Sequence, residues 1–465
     1  MIELHRLGAA ELSEAFATGR LSPVEAAQAA LGRIDRWEPS INAMYLVHRE
    51  QALADARASE ARWRSGSPLS PIDGVPITIK ENIYTRGDPA PIGSAAADLT
   101  PKAADAPPSA RVREAGCVIL GKTTMPDFGM LSSGLSSIHG VTRNPWRLDR
   151  NTSGSSSGAA AAAVAGYGPL HLGTDIGGSV RLPATHCGLF ALKPSLGRIP
   201  IHPPYMGRVA GPMTRTVRDS ALLMNVVTRP DARDFMSLPW QQEDYAAGLD
   251  GLEPRGLRIG FLPDMRVGLP VDPEVAAVAA QAAGALAAAG AIVEEIPSFL
   301  TGEMLEGMNV FFEARSGNDV AAMSPQARAK LLPFIVEWCT WRSGGFTGSE
   351  VMAGYTRVME MREAAVRAVG AYAFVLSPTS PIPAYEAGVP SPGSDPHRAL
   401  PHIAFTVPFS MSEQPASSVN WGYTGDGMPV GVQVVGQRFD DLGVLRMSRL
   451  LERLRPPQRP WPEPA

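Results

Sequence analysis

Gly173-Thr174-Asp175-Ile176-Gly177-Gly178-Ser179-Val180-Arg181 begins at the end of a short apolar run, Pro169 to Thr174, that reads as a buried strand. The stretch ends that strand in a turn and places a serine at its far side. Two glycines before Ser179 let the main chain come close to a bound molecule and adopt dihedrals closed to other residues. Successive N–H groups in such a turn can point at one spot and stabilise a developing oxyanion. A serine beside such a nest suggests acyl transfer. A Gly-Gly-Ser turn alone is weak support, so further residues must be sought elsewhere in the chain.

They lie upstream. Asn151-Thr152-Ser153-Gly154-Ser155-Ser156-Ser157-Gly158 runs into the alanines Ala159 to Ala163. Earlier still, Val75-Pro76-Ile77-Thr78-Ile79-Lys80-Glu81-Asn82 carries an apolar, strand-like segment that closes on a lysine. Lys80, Ser155 and Ser179, in that order and with that spacing between the serines, resemble the Ser–cisSer–Lys triad of the amidase signature family. The resemblance continues through Arg181-Leu182-Pro183-Ala184, Cys187 to Arg198 and Gly211-Pro212-Met213-Thr214-Arg215-Thr216-Val217-Arg218-Asp219. It returns in Leu376-Ser377-Pro378-Thr379, Gln414-Pro415-Ala416 and Gly427 to Gly436. It covers nearly the whole chain and is strongest from Asp73 to Asp219.

The resemblance implies a division of labour. A serine hydroxyl is a poor nucleophile until a base takes its proton, and no histidine is well placed by motif. Lys80 would be that base, which requires a neutral amine and a pKa lowered from about 10.4 by burial. Its place at the end of an apolar run is consistent with burial. Ser155, after a cis Gly154–Ser155 bond, would relay the proton from Ser179. The N–H groups of Ile176, Gly177 and Gly178 would hold the oxyanion. Asp175 and Arg181 would pair to fix the turn, with Thr174 and Ser156 as supporting hydrogen-bond partners. No metal or organic cofactor is implied.

Met125, Phe128, Met130 and Leu131 match a family segment that lines the acyl site, and Thr152 and Ser153 are the remaining substrate-binding candidates. Trp338, Trp341 and Ser417-Ser418-Val419-Asn420-Trp421-Gly422-Tyr423 are further places to seek specificity. The chain departs from the family pattern at Ser153, Ser157 and Ala191, where glycines are common, and at Glu81, where aspartate is frequent. These changes lie away from the three central positions and are expected to be tolerated.

Composition sets bounds on the alternatives. The chain has 465 residues, 45% of them apolar, and a formal net charge of −4, which supports a sizeable core and gives no sign of a nucleic-acid surface. Cys117, Cys187 and Cys339 show neither metal-ligand spacing nor a disulfide framework. The start, Met1-Ile2-Glu3-Leu4-His5-Arg6, lacks the apolar core of a signal peptide, and no run is long enough to cross a membrane. A cytoplasmic protein is expected.

The patterning predicts one α/β domain over residues 1–465. Residues 1–70 read as helices, beginning with a capping box at Ser22-Pro23-Val24-Glu25 and including a helix from about Arg49 to Trp63. Residues 71–220 form the signature core. Strands are expected at Ile72 to Lys80, Cys117 to Gly121, Pro169 to Thr174, Leu257 to Leu262 and Ile292 to Ile296. Helices are expected at Ser109 to Glu114, Ser155 to Ala165 and Pro273 to Ala289. This alternation implies a layered fold: a central, mostly parallel mixed sheet covered by helices on both faces, as in the amidase signature fold. Residues 299–369 should be a variable helical region contributing to the substrate pocket. Residues 455–465 should be a frayed proline-rich tail.

The function expected is hydrolysis of carboxylic amide C–N bonds, with bulky apolar or aryl amides as substrates, by an acyl-enzyme on Ser179. A carbamate (urethane) hydrolase using the same triad is one alternative. Another is the amidase component of a tRNA-dependent amidotransferase, working with partner chains. A homodimer is among the assemblies that the resemblance allows. Gly154-Ser155-Ser156-Ser157-Gly158 also satisfies G-x-S-x-G, but the polar Asn144 to Asn151 segment before it is not the buried strand that an α/β-hydrolase elbow needs. His139, His171, His186 and His202 lack metal-site spacing.

Overall fold

Every residue of Pro76–Lys80 is buried, as expected for an apolar run between parallel neighbours. The computed structural model describes residues 3–342 and 344–464. The expectations for Met1-Ile2 and for Ala465 therefore fall outside the described residues.

The strand Pro76–Lys80 belongs to an 11-stranded sheet. Its strands along the chain are β1 (Met44–Val47), β2 (Pro76–Lys80), β3 (Val118–Thr123), β4 (Leu170–Asp175), β5 (Phe190–Lys193) and β6 (Val209–Thr214). They continue with β7 (Arg258–Phe261), β8 (Ile292–Glu295), β9 (Phe374–Pro378), β10 (Ala416–Tyr423) and β11 (Pro429–Val435). Their spatial order is β1-β3-β2-β4-β6-β5-β10-β11-β9-β7-β8.

The sheet is mixed, and its parallel part is less continuous than the strand–helix alternation suggested. Parallel ladders join β2 to β3 and β4, and β7 to β8 and β9. Between these two runs the ladders β4·β6, β6·β5, β5·β10, β10·β11 and β11·β9 are antiparallel. Helical crossovers generate the parallel runs, whereas β5 to β6 and β10 to β11 are joined directly through loops. The segment read as wholly helical, residues 1–70, contains β1, antiparallel to β3 at the sheet edge. Four residues are too few to show a period-two pattern.

Strand alternation separates two faces. Ile119, Leu192 and Leu376 share one core with the helices Ala9–Ala17, Val217–Val227, Pro273–Ala288 and Asp441–Leu454. Chain neighbours point the other way, Leu120 towards the helices Pro23–Ile41 and Arg49–Arg64, Val375 towards Met308 and Phe312. The result is a layered α/β fold with helices on both faces.

Local chemistry sets the helix ends. Ser22 Oγ accepts from the N–H groups of Val24 and Glu25 while Glu25 accepts from Ser22 N, a reciprocal cap that starts Pro23–Ile41. The alanine helix, Ser157–Ala165, is buried at every residue, and its small side chains let it lie directly against the sheet.

The proline-rich tail is docked rather than frayed. Trp461 packs on Trp146 at 5.8 Å between ring centroids and lies under the Arg215 guanidinium. Gln458 Nε2 donates to Trp421 O, and Glu463 pairs with Arg33 and His5. Proline restricts the chain before it docks, which lowers the entropy lost on ordering. Among the described residues no helix is long and apolar enough to cross a membrane.

Candidate active site

β2 and β4 run parallel and side by side, so their C-terminal ends open at the same edge of the sheet. β2 ends on Lys80. β4 ends on Thr174 and Asp175 and feeds the turn carrying Ser179. The N-terminus of the alanine helix brings Ser155 and Ser156 to the same place, after a cis Gly154–Ser155 peptide bond. A second cis bond, His202–Pro203, had no signal in the sequence.

Lys80 is fully buried, and its Nζ donates to Ser155 Oγ at 2.8 Å, Ser156 Oγ at 3.0 Å and Thr174 Oγ1 at 3.0 Å. Burial pushes the Lys80 amine down to about 7, with Asp175 and Glu81 opposing the shift and Arg208 adding to it. The three hydroxyls suit both protonation states. An ammonium has three donors for them, and a neutral amine has two donors plus a lone pair towards which a hydroxyl can turn.

Asp175 and Arg181 are both fully buried and paired through two bonds, Nε to Oδ2 at 3.0 Å and Nη2 to Oδ1 at 2.9 Å. Burial opposes ionisation of Asp175, but the Arg181 guanidinium holds its carboxyl at about 2. Arg181 also reaches Thr406 O, Gln433 Oε1 and Ser410 Oγ. Asp175 shapes the turn by accepting from the N–H of Gly178 at 2.8 Å and of Val180 at 3.2 Å. Gly178 has φ +122°, and a Cβ there would stand 2.6 Å from Thr406 Oγ1, so the turn requires glycine at this position.

The oxyanion expectation needs one correction. The Gly178 N–H is engaged by Asp175 and cannot also face a substrate. Among the described residues the N–H groups of Ile176, Gly177 and Ser179 make no hydrogen bond. Ser179 itself is half-buried and is tied to the serine-rich segment by a bond from Ser156 N to Ser179 O at 3.2 Å.

Ser155, Thr174, Asp175, Ile176 and Ser179 line one cavity of about 250 Å³. Of the acyl-site candidates, Phe128 lines it. Met125, Met130 and Leu131 do not; they are buried core residues, their apolar chemistry fitting core as well as pocket. Thr152 and Ser153 are likewise buried away from the cavity, with Thr152 Oγ1 donating to Ser153 O. Trp338 and Trp341 line a different cavity of about 400 Å³ beside the helix Gly302–Ala321. Ser417 to Tyr423 forms most of β10, inside the sheet.

The sequence reading missed residues that do line the Ser179 cavity, namely Tyr84, Tyr205, Arg208, Phe312, Arg315 and Asp319. The last three lie on one side of the helix Gly302–Ala321, within the segment expected to contribute to the pocket. Arg208 precedes the Gly211-Pro212 motif, and that proximity was the one signal available. Glu81 is no passive substitution either: its buried carboxylate accepts from Gly93 N and faces His139 Nε2 at 2.7 Å.

A family model described as Amidase matches residues 25–445. The chain is 34% identical to a glutamyl-tRNA(Gln) amidotransferase subunit of Myxococcus xanthus (strain DK1622), covering 97% of this chain and 98% of the relative. It is 33% identical to an acylamidase of Rhodococcus erythropolis, with 97% and 96% covered. The solved structure of a bacterial aryl acylamidase of the amidase signature enzymes superposes with a TM-score of 0.89 at 27% identity, covering 97% of this chain and 96% of that one.

Proposed function

Because this chain belongs to the amidase signature family and is an amidase, a hydrolase of carboxylic amide C–N bonds, we propose that it acts as a free-standing enzyme on bulky apolar or aryl amides, through an acyl-enzyme on Ser179. The observation that carries this reading is the setting of Lys80: a fully buried amine, pushed down to about 7 and ringed by three hydroxyls, at the cavity that Ser155 and Ser179 share.

In this cycle the Ser179 Oγ attacks the amide carbonyl carbon. Its proton passes to Ser155 Oγ as the Ser155 proton passes to the lone pair of Lys80. The tetrahedral oxyanion is met by the free N–H groups of Ile176, Gly177 and Ser179. The C–N bond then breaks while Ser155 gives a proton to the departing nitrogen and recovers one from Lys80. The resulting ester on Ser179 is attacked by water, whose proton passes through Ser155 to Lys80. The bond between the acyl carbon and Ser179 Oγ then breaks as a proton returns from Lys80 through Ser155 to Ser179 Oγ, and the carboxylic acid leaves. Ser156 and Thr174 hold Lys80 on this path, and the Asp175–Arg181 pair holds the turn.

Phe128, Ile92, Tyr84 and Phe312 give the cavity an apolar and aromatic wall, which supports an aryl or bulky apolar group on the substrate. The test is hydrolysis by the purified chain alone of a p-nitroanilide, a primary amide, an aryl carbamate and glutamine, each with wild type and Ser179→Ala. Turnover of the anilide that vanishes in Ser179→Ala supports the proposal, and preferential turnover of the carbamate would shift it to a urethane hydrolase. Full activity in Ser179→Ala would sink it.

A second reading follows from the 34% identity to an amidotransferase subunit over nearly the full length of both chains. Under it the chain would release ammonia from glutamine in company with partner chains. Turnover of glutamine alone, and only with those partners added, would establish that role instead.

A further inference from the structure

Two guanidinium groups face the Ser179 cavity, and among the described residues no carboxylate pairs with either of them. Arg208 and Arg315 both line it, and both approach the Tyr205 ring, with Cζ at 5.7 Å and 5.2 Å from its centroid. Among the described residues neither forms an ion pair. Arg208 Nη2 donates to Pro203 O, Arg315 Nη2 donates to Ser316 Oγ at 3.2 Å, and Arg315 Nε is buried without a partner. Among the described residues three acids bear on this region, and Asp175, which lines the cavity, is already committed to Arg181. Asp234 is occupied by main-chain donors, accepting from Ile201 N and Met236 N. Asp319 lines the cavity but is exposed and pairs with neither arginine.

Two like charges held over one ring repel each other, and each is deprived of part of its water. Folding gains little from that arrangement, whereas a bound anion would relieve it. Guanidinium presents a fork of donors matched to a carboxylate, and such charge-assisted bonds are among the stronger polar contacts. The cation–π contacts to Tyr205 hold both guanidinium groups over one ring, so the two forks lie near each other before a ligand arrives.

We propose that Arg208 and Arg315 form a carboxylate-reading subsite, and that the preferred amide substrate carries a carboxylate beside its apolar or aryl portion. This rests on the assignment of the Ser179 cavity as the place where amides are cleaved. It goes further by giving the substrate a charge and by naming the residues that select it.

The test uses matched pairs of anilides. Glutaryl p-nitroanilide is compared with the pentanoyl compound, which lacks the charge on the acyl side. An N-acyl 4-aminobenzoate is compared with its 4-aminobenzamide counterpart, which lacks it on the amine side. Affinities for the Ser179→Ala protein are measured by calorimetry, so the result does not depend on turnover. The anionic member of at least one pair should bind about tenfold or more tightly than its neutral partner. That ratio should collapse towards one in Arg208→Gln and Arg315→Gln and lie between the two in Arg315→Lys. Binding of the neutral member reports whether each variant has kept its fold. Equal affinity within both pairs, no measurable binding of either, or variants that weaken both members alike would overturn the proposal. The assignment of Ser179 fails separately, if Ser179→Ala still hydrolyses the panel, so the two failures are distinguishable.

Discussion

Lys80 and Thr174 stand at the ends of adjacent parallel strands, and Lys80 Nζ meets Thr174 Oγ1 at 3.0 Å. The sheet itself therefore delivers the amine to its hydroxyl partners. This contact would survive any rearrangement of the surface loops that left β2 and β4 in register.

The pH dependence of turnover should follow Lys80. Burial lowers its pKa to about 7, so the amine is protonated and unable to accept below that pH and neutral above it. The value of kcat/KM should rise through a limb near 7 to an alkaline plateau. Lys80→Met should lower turnover by about 10²- to 10⁴-fold. A pH–rate profile falling between pH 5 and 8 would contradict a lysine base.

Arg208 reaches the same amine through space. After burial, with Asp175 and Glu81 pulling upwards, Arg208 is the charge that pushes Lys80 further down. Arg208→Gln should therefore move the acid limb to higher pH, a shift that a purely structural role for Arg208 would not produce. The full pH profile of the variant, measured on a neutral anilide, is the check.

The Asp175–Arg181 pair should matter for stability as well as for the turn. Asp175→Ala leaves a buried guanidinium without its carboxylate, at a cost of about 3–5 kcal/mol, and frees the N–H groups of Gly178 and Val180 that the carboxylate now holds. Urea unfolding should show the loss as a lower midpoint.

A different pH effect is expected at Lys193. It is buried, its Nζ donates to Pro194 O, and burial together with Arg181 lowers its pKa to about 7 from an ordinary 10.5. Below pH 7 the amine is charged in both folded and unfolded chains, and the full cost of burying it is felt. Between about 7 and 10.5 the unfolded chain binds the extra proton, so stability from this group rises with pH. Lys193→Met should stabilise the protein more at pH 6 than at pH 10, which paired urea titrations would show.

At the far end of the chain, Trp461→Ala should lower stability by about 1–3 kcal/mol, because the indole packs on Trp146 and beneath Arg215. A melting temperature unchanged by the substitution would mean that the tail is not anchored there.

What is legible in the sequence is what lies within short segments. Lys80, Ser155 and Ser179 each sit in a local pattern, and Thr174, Asp175 and Arg181 flank the same turn. Arg315 and Phe312 come from a distant helix, and Arg208 and Tyr205 from a loop; only packing brings them to the cavity. Met125, Met130 and Leu131 fail as pocket residues for the opposite reason. Their apolar side chains serve a core and a binding wall equally well, and only the fold decides which. At Gly178 the need for glycine is a local signal, but the N–H is spent on Asp175, a pairing visible only in three dimensions. The prolines of the tail read as disorder, whereas Trp461 and Glu463 carry its contacts.

Arg181 has a further consequence for how the chain can be divided. It is anchored not only to Asp175 but also to Thr406, Ser410 and Gln433, residues more than two hundred positions downstream. A fragment from Asp73 to Asp219 would carry Lys80, both serines and the glycine turn, yet none of those distal acceptors. The segment that identifies the family by motif is therefore not a transplantable module. Grafting or splitting at its borders would keep the residues of the relay and lose the scaffold that aims them.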